Sequence, residues 1–227
     1  MTDQWFGLNR PALDKDTQEK SLAFTALIEG DAERTRMAFE ASMPASERAE
    51  AEKEEGAGGT PKVPQIVLEL LGLPYAVGPS FVDAVVAQRG IAGLNAAYRK
   101  PPVSSEQILE PATYFEDVMP IRVAIPQADG RRLDASDLGT VGVILMLEGH
   151  LDQQTSIAAG DGWAGDQYAV WKAGPSRYCL RDTVVAANAD AATRLRTALA
   201  EWAADRHGAA RIEQRSGRTT TFLTCSS

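Results

Sequence analysis

The sequence predicts an α+β protein, with a helical amino-terminal half followed by a small antiparallel sheet and one packed helix. Two observations predict it. Up to about residue 116, apolar residues recur at helical spacing between Gly and Pro breaks. Beyond Gln167, short period-two segments face each other across turn residues. The chain is therefore expected to divide into a helical unit over 1-116 and a small α+β lobe over 117-227. There is no internal repeat and no sustained heptad.

Asp16 followed by Glu19 has the spacing of a capping box, ahead of a helical pattern that runs from Ser21 to Ser42 and ends at Pro44. Residues 45–55 form a charged helical run with solvated faces. Gly56, Gly58, Gly59 and Pro61 then predict a loop. Val63 to Leu71 is a short apolar helix, closed by a turn over Gly72-Leu73-Pro74-Tyr75. Val77 to Arg89 carries Phe81, Val82, Val85 and Val86 at helical spacing and stops at Gly90. Ile91 to Arg99 follows, and after Pro101-Pro102 the Ser104–Gln107 stretch opens a short turn or helix.

In the second half, Asp134 to Leu147 is expected to be a helix with Leu138, Val141, Ile144 and Leu145 on its apolar face. A Gly-rich piece, Gly160 to Asp166, leads to a hairpin of Gln167–Lys172 and Tyr178–Ala186. Asn188 caps a helix through Ala204. Arg211–Gln214 and Thr219–Thr224 make a second hairpin around Ser216-Gly217.

Composition excludes several functions. The 227 residues carry a net charge of -8 and no basic run, which argues against a nucleic-acid partner, because phosphate backbones are held by clustered Lys and Arg. No uninterrupted apolar stretch approaches the roughly 20 residues that span a bilayer, so no transmembrane segment is expected. Met1 to Arg10 is polar and aromatic, unlike a secretory signal.

The two histidines, His150 and His207, each follow a helical segment, where the macrodipole favours a cation. With two isolated His and two late Cys, no paired zinc-ligand spacing can be written. Gly160, Gly162 and Gly165 have dinucleotide-loop spacing, but they precede a strand instead of following one. Neither a phosphate loop nor a nucleophile elbow is present. The cysteines, Cys179 and Cys225, are either two buried thiols or one disulfide. The late position of Cys225, where an untied strand would fray, favours the disulfide, with roughly 3–4 kcal/mol of stabilisation and an oxidising compartment.

Two segments resemble the gluzincin zinc metallopeptidases. One is Thr25-Ala26-Leu27-Ile28-Glu29-Gly30-Asp31-Ala32, similar to the element on the helix that follows the H-E-x-x-H helix in that family. The other is Leu73-Pro74-Tyr75-Ala76-Val77-Gly78-Pro79-Ser80-Phe81-Val82, with Arg89-Gly90 and Leu94-Asn95-Ala96-Ala97-Tyr98 behind it. Pro101 to Leu109 resembles the P-P-T-S-T-E-Q-I-L stretch of an actinobacterial branch of exported and lipoprotein peptidases. The Gly162-Trp163-x-Gly165-Asp166-x-Tyr168 piece resembles the branch more weakly. Its Gly-Trp-x-Gly-Asp part also suits a structural turn with Trp163 buried. Thr2-Asp3-Gln4-Trp5-Phe6 is similar to the tail of the zinc helix, so the chain is expected to begin just after it.

The resemblance implies that Glu29 is the third zinc ligand and that Tyr75, at the turn entering a helix, donates to a developing oxyanion. It implies that Glu33, one turn beyond Glu29, orients a ligating His. Each has a plainer reading: Glu29 and Glu33 as surface charges, Tyr75 as a packing residue. A catalytic zinc needs three protein ligands and an open water position, and its base would be the Glu of the missing motif.

The intact protein is therefore expected to be an exported, zinc-dependent peptidase acting on a peptide or protein. The chain as given is expected to hold no zinc and to be inactive. Glu110-Pro111 stands where relatives tend to have His-Pro. The alternative expectation is a non-enzymatic binding or scaffold domain of the cell envelope.

Overall fold

The computed structural model describes residues 5–8, 17–55 and 63–226. The elements run α1 (Gln18–Ser42), α2 (Ala45–Glu55), α3 (Gln65–Arg99), α4 (Ser105–Leu109) and α5 (Pro111–Phe115). Then come β1 (Arg132–Ser136), α6 (Gly139–Glu148), α7 (Gln153–Gly160), β2 (Trp163–Lys172) and β3 (Tyr178–Ala186). The chain closes with α8 (Ala189–Asp205), β4 (Ala210–Ser216) and β5 (Thr219–Cys225). This is an α+β architecture with one antiparallel sheet ordered β1-β2-β3-β5-β4. Residues 118–131, beyond the expected boundary at 116/117, form neither helix nor strand.

The helical half is built on the crossing of α1 and α3. Ala23, Phe24, Ala26 and Leu27 of α1 meet Phe81, Val82 and Val85 of α3 in one buried cluster, which Leu8, Leu94, Tyr98 and Ile108 complete. The helices touch backbone to backbone. A Cβ on Gly30 would lie 2.3 Å from the carbonyl carbon of Gly78, and one on Gly78 would lie 2.2 Å from the carbonyl oxygen of Ala26. Only glycine permits that approach.

The turn expected over Gly72–Tyr75 is absent. α3 runs through Pro74 and Pro79, because Pro74 and Gly78 are buried against α1 and that packing outweighs the roughly 3 kcal/mol cost of an internal proline. The other predicted break holds: the helix is interrupted at Gly90, whose φ of 64° and ψ of -172° are not helical. The result is a 35-residue helical stretch kinked at Gly90, the one candidate among the described residues long and apolar enough to cross a bilayer by length and composition. In this fold its Phe81, Val82 and Val85 are core.

Three other expectations change. The cap of α1 is Thr17, whose hydroxyl accepts from the Lys20 amide, while the predicted capping residue Asp16 lies outside the described residues, as does the predicted loop at 56–62. Asp134–Leu147 is not one helix. Arg132–Ser136 pairs with β2 as an edge strand, and the helix starts at Gly139, whose φ of 69° turns the chain. The Gly-rich segment is not a turn from Trp163 onward but the start of β2.

Three helices, not one, accompany the sheet. Val143 and Leu147 of α6, Ala159 of α7 and Leu195, Ala198, Leu199 and Trp202 of α8 pack on Val184 and Phe222. Asn188 caps α8 as its sequence predicts, accepting from the Ala191 amide. On the opposite face Trp171 and Leu223 enclose Cys179 and Cys225, which are register partners on β3 and β5 and are joined by a disulfide.

Candidate functional site

Glu29, Gly30 and Asp31 are three consecutive residues of α1, and each meets α3. Glu29 lies close enough to Tyr75 for its charge to act on the phenol, Gly30 backs onto Gly78, and the Tyr98 hydroxyl donates to Asp31 at 2.7 Å. The two segments singled out in the sequence are thus in register along one helix pair. Glu29 is half-buried, and Tyr75 is half exposed at 50%. Tyr75 lies within α3, not at a turn. The negative charge of Glu29 beside it raises the phenol above its ordinary range, with a smaller contribution from Glu33.

Glu33 is otherwise engaged. Both its oxygens accept from Arg36, at 2.9 and 2.5 Å, and Arg36 also pairs with Glu40. The guanidinium holds the Glu33 carboxyl below its ordinary range. Phe6 stacks on Tyr98 with ring centroids 4.8 Å apart, so Phe6 lies beside this helix pair.

Tyr75 borders an open cleft of about 780 Å³ between α1, the first turns of α3 and α6. Its walls are largely apolar: Leu22 of α1, Ile66, Leu70 and Leu71 of α3, and Val141 and Leu145 of α6. Leu70 and Leu71 are 43% and 66% exposed, an unusual apolar face for a surface helix.

Zinc was tested against these side chains. Among the described residues no group of three or more His, Cys, Asp or Glu could hold a metal ion. Glu29 offers one carboxylate beside a phenol, and the residues present do not fit zinc. His150 lies far along the chain, paired through Nδ1 with Asp205, and Arg206 donates to its Nε2 at 3.4 Å. His207 takes a left-handed φ of 48° just past α8.

The sequence reading missed a second polar constellation, where the helical half meets the sheet. Glu19, read only as part of a cap, is 2% exposed, and its Oε2 accepts from the Ser105 amide at 2.7 Å and hydroxyl at 2.9 Å. Its own amide donates to Asp137 at 3.1 Å. Asp166 accepts from the Leu138 and Gly139 amides and from the Trp163 indole, at 2.7 to 2.9 Å. Asp182, wholly buried on β3, has no hydrogen-bond donor for either oxygen.

A signal for Asp182 existed, since it alternates with Leu180, Val184 and Ala186 on the inward face of a strand, where a lone carboxyl is costly. Burial pushes Glu19 up to about 8, against the opposing Ser105 bonds and with help from the charges of Asp166 and Asp137.

Comparison with protein-family models, with curated proteins and with solved structures finds no match.

Proposed function

We propose that this polypeptide is the carboxyl-terminal portion of a gluzincin-type zinc metallopeptidase. Glu29 contributes one metal-binding carboxylate, and Tyr75 is the hydrogen-bond donor to the substrate's developing oxyanion. The two His ligands and the general base belong to an H-E-x-x-H helix that this chain does not carry. Without it the chain holds no zinc and hydrolyses no peptide. The observation that carries the reading is the Glu29–Tyr75 contact beside an open apolar cleft, between the two segments that resemble the family. The cleft is lined to accept a helix with an apolar face. The Cys179–Cys225 disulfide supports an extracytoplasmic setting.

The experiment joins an H-E-x-x-H segment ahead of Met1 and measures bound zinc and peptide hydrolysis. The fusion is expected to bind one zinc and the chain alone none. Glu29→Gln in the fusion should lose the metal, while Tyr75→Phe should keep it and lower kcat by about 10²–10³-fold. Tight zinc binding by the unfused chain through Glu29, or equal binding by the Glu29→Gln fusion, would refute the reading.

One observation favours a second reading, a non-enzymatic envelope binding domain. Glu33 is held by Arg36 rather than left to orient a ligand. On that reading the fusion takes up no zinc, yet an apolar helix still fills the cleft.

A further inference from the structure

Carboxyl groups cluster where the helical half meets the sheet, and the donors that Glu19 and Asp166 accept from among the described residues are neutral. Asp166 on β2 pairs in register with Val184 and Tyr168 with Asp182, so Asp166 and Asp182 are diagonal neighbours on one face of the sheet. Asp166 already accepts three donors, from Leu138, Gly139 and Trp163. Asp182 accepts none. An ionised carboxylate with no donor in a dry interior is among the costliest groups a fold can bury. A protonated Asp182 removes that cost, because its hydroxyl then donates to Asp166.

The same chain of contacts continues outward. The Gly139 amide that bonds Asp166 belongs to a residue packed directly on the Glu19 carboxyl, where a Cβ would come within 1.8 Å of it. Glu19 in turn receives Ser105 of α4, and its amide reaches Asp137.

We propose that these carboxyls form a proton-operated latch: the junction stays closed while Glu19 and the Asp166–Asp182 pair hold protons, and it loosens as they are removed. The latch also borders the apolar cleft, because Glu19 lines it from α1 while Leu138 and Val141 line it from the other side of the junction. Loosening therefore separates two walls of that cleft. The inference does not depend on the peptidase reading.

Other titratable groups face the latch. From β1 and the loop after it come Asp134 and Asp137, and from β2 comes Tyr168, whose hydroxyl donates to Asp134 at 3.1 Å. Lys20 of α1 and Arg122 of the 118–131 segment line the cavity of about 460 Å³ beside Glu19, Asp137 and Asp166. Among the described residues, Glu19 and Asp166 accept from backbone amides, a serine hydroxyl and an indole.

The direction of the pH effect follows by linkage. Burial raises Glu19 from an ordinary 4.5 to about 8. Burial first, then the charge of Asp166, raises Asp182 well above its ordinary range. The closed molecule thus holds protons that the opened one releases. Closure is complete below the ordinary carboxylate range and is lost as pH climbs toward 8. This is the reverse of the usual ion-paired carboxylate.

Three amides report on the latch: those of Glu19 and Val141, whose hydrogen bonds to Asp137 and Ser105 cross the junction, and that of Gly139, which bonds Asp166 beside it. The test is hydrogen exchange of the whole chain from pH 5 to 9, with rates divided by the intrinsic exchange rate. Protection of these amides is expected to fall with pH, by at most about tenfold per pH unit for each proton released. Amides within α8 should hold their protection more steadily.

Glu19→Gln and Asp182→Asn mimic the protonated side chains and should each flatten the slope. Glu106 is the control, since burial also raises it, to about 7. Glu106→Gln should leave the slope of the three amides intact. A flat wild-type profile would overturn the latch. So would an unchanged slope in both Glu19→Gln and Asp182→Asn, or a slope erased by Glu106→Gln.

Discussion

Gly30 and Gly78 act by lacking side chains, and Glu29 and Asp31, on either side of Gly30, act through theirs. The close approach of α1 and α3 at the two glycines sets the spacing at which Tyr75 reaches Glu29 and Tyr98 reaches Asp31. Gly78→Ala places a methyl group 2.2 Å from the Ala26 carbonyl oxygen. That overpacking should cost about 1–3 kcal/mol, read as a lower denaturant midpoint, and should return Tyr75 toward its ordinary pKa by ultraviolet titration. Glu29 and Tyr75 were legible as candidates because flanking residues form recognisable strings. Glu19 was not, because its spacing from Asp16 satisfies a local rule, while its burial is decided by Ser105 and Gly139, both distant in sequence. Asp137, Asp166 and Asp182 are likewise scattered along the chain and meet only once the sheet forms.

Helix α3 shows how elements escape a local reading. Gly72 and Pro74 predict a break that burial against α1 overrides, while the break predicted at Gly90 does occur. A side chain at Gly90 would have open space around it, so its role is purely one of backbone. Gly90→Ala should therefore destabilise by about 1–3 kcal/mol, the cost of a conformation nearly reserved to glycine, with no loss of packing. Thermal unfolding of the variant checks this, and an unchanged midpoint would show that the bend relaxes freely. By contrast β3 and α8 were legible nearly to the residue, because alternation and an Asn cap are strong local signals. The edge strand β1 was not, since Leu133 and Ala135 continue the helical spacing of the residues after it, and only pairing with β2 sets them extended.

For the whole molecule, the disulfide spans 46 residues and joins β3 to the last strand. In the chain-entropy model its loss should cost about 4 kcal/mol. The Cys179→Ala, Cys225→Ala double variant is expected to unfold at correspondingly lower denaturant, and reductant should move the parent protein the same way and leave the variant unchanged. The sheet it staples is also finished at both sides. The outer strand β4 presents Arg211, Glu213 and Arg215 to solvent and slips register between Ile212 and Gln214, while β1 is five residues long with exposed Arg132 and Asp134. A further strand docking on either side would have to desolvate those charges. Capture of an extended peptide by β-augmentation is thereby disfavoured at both edges.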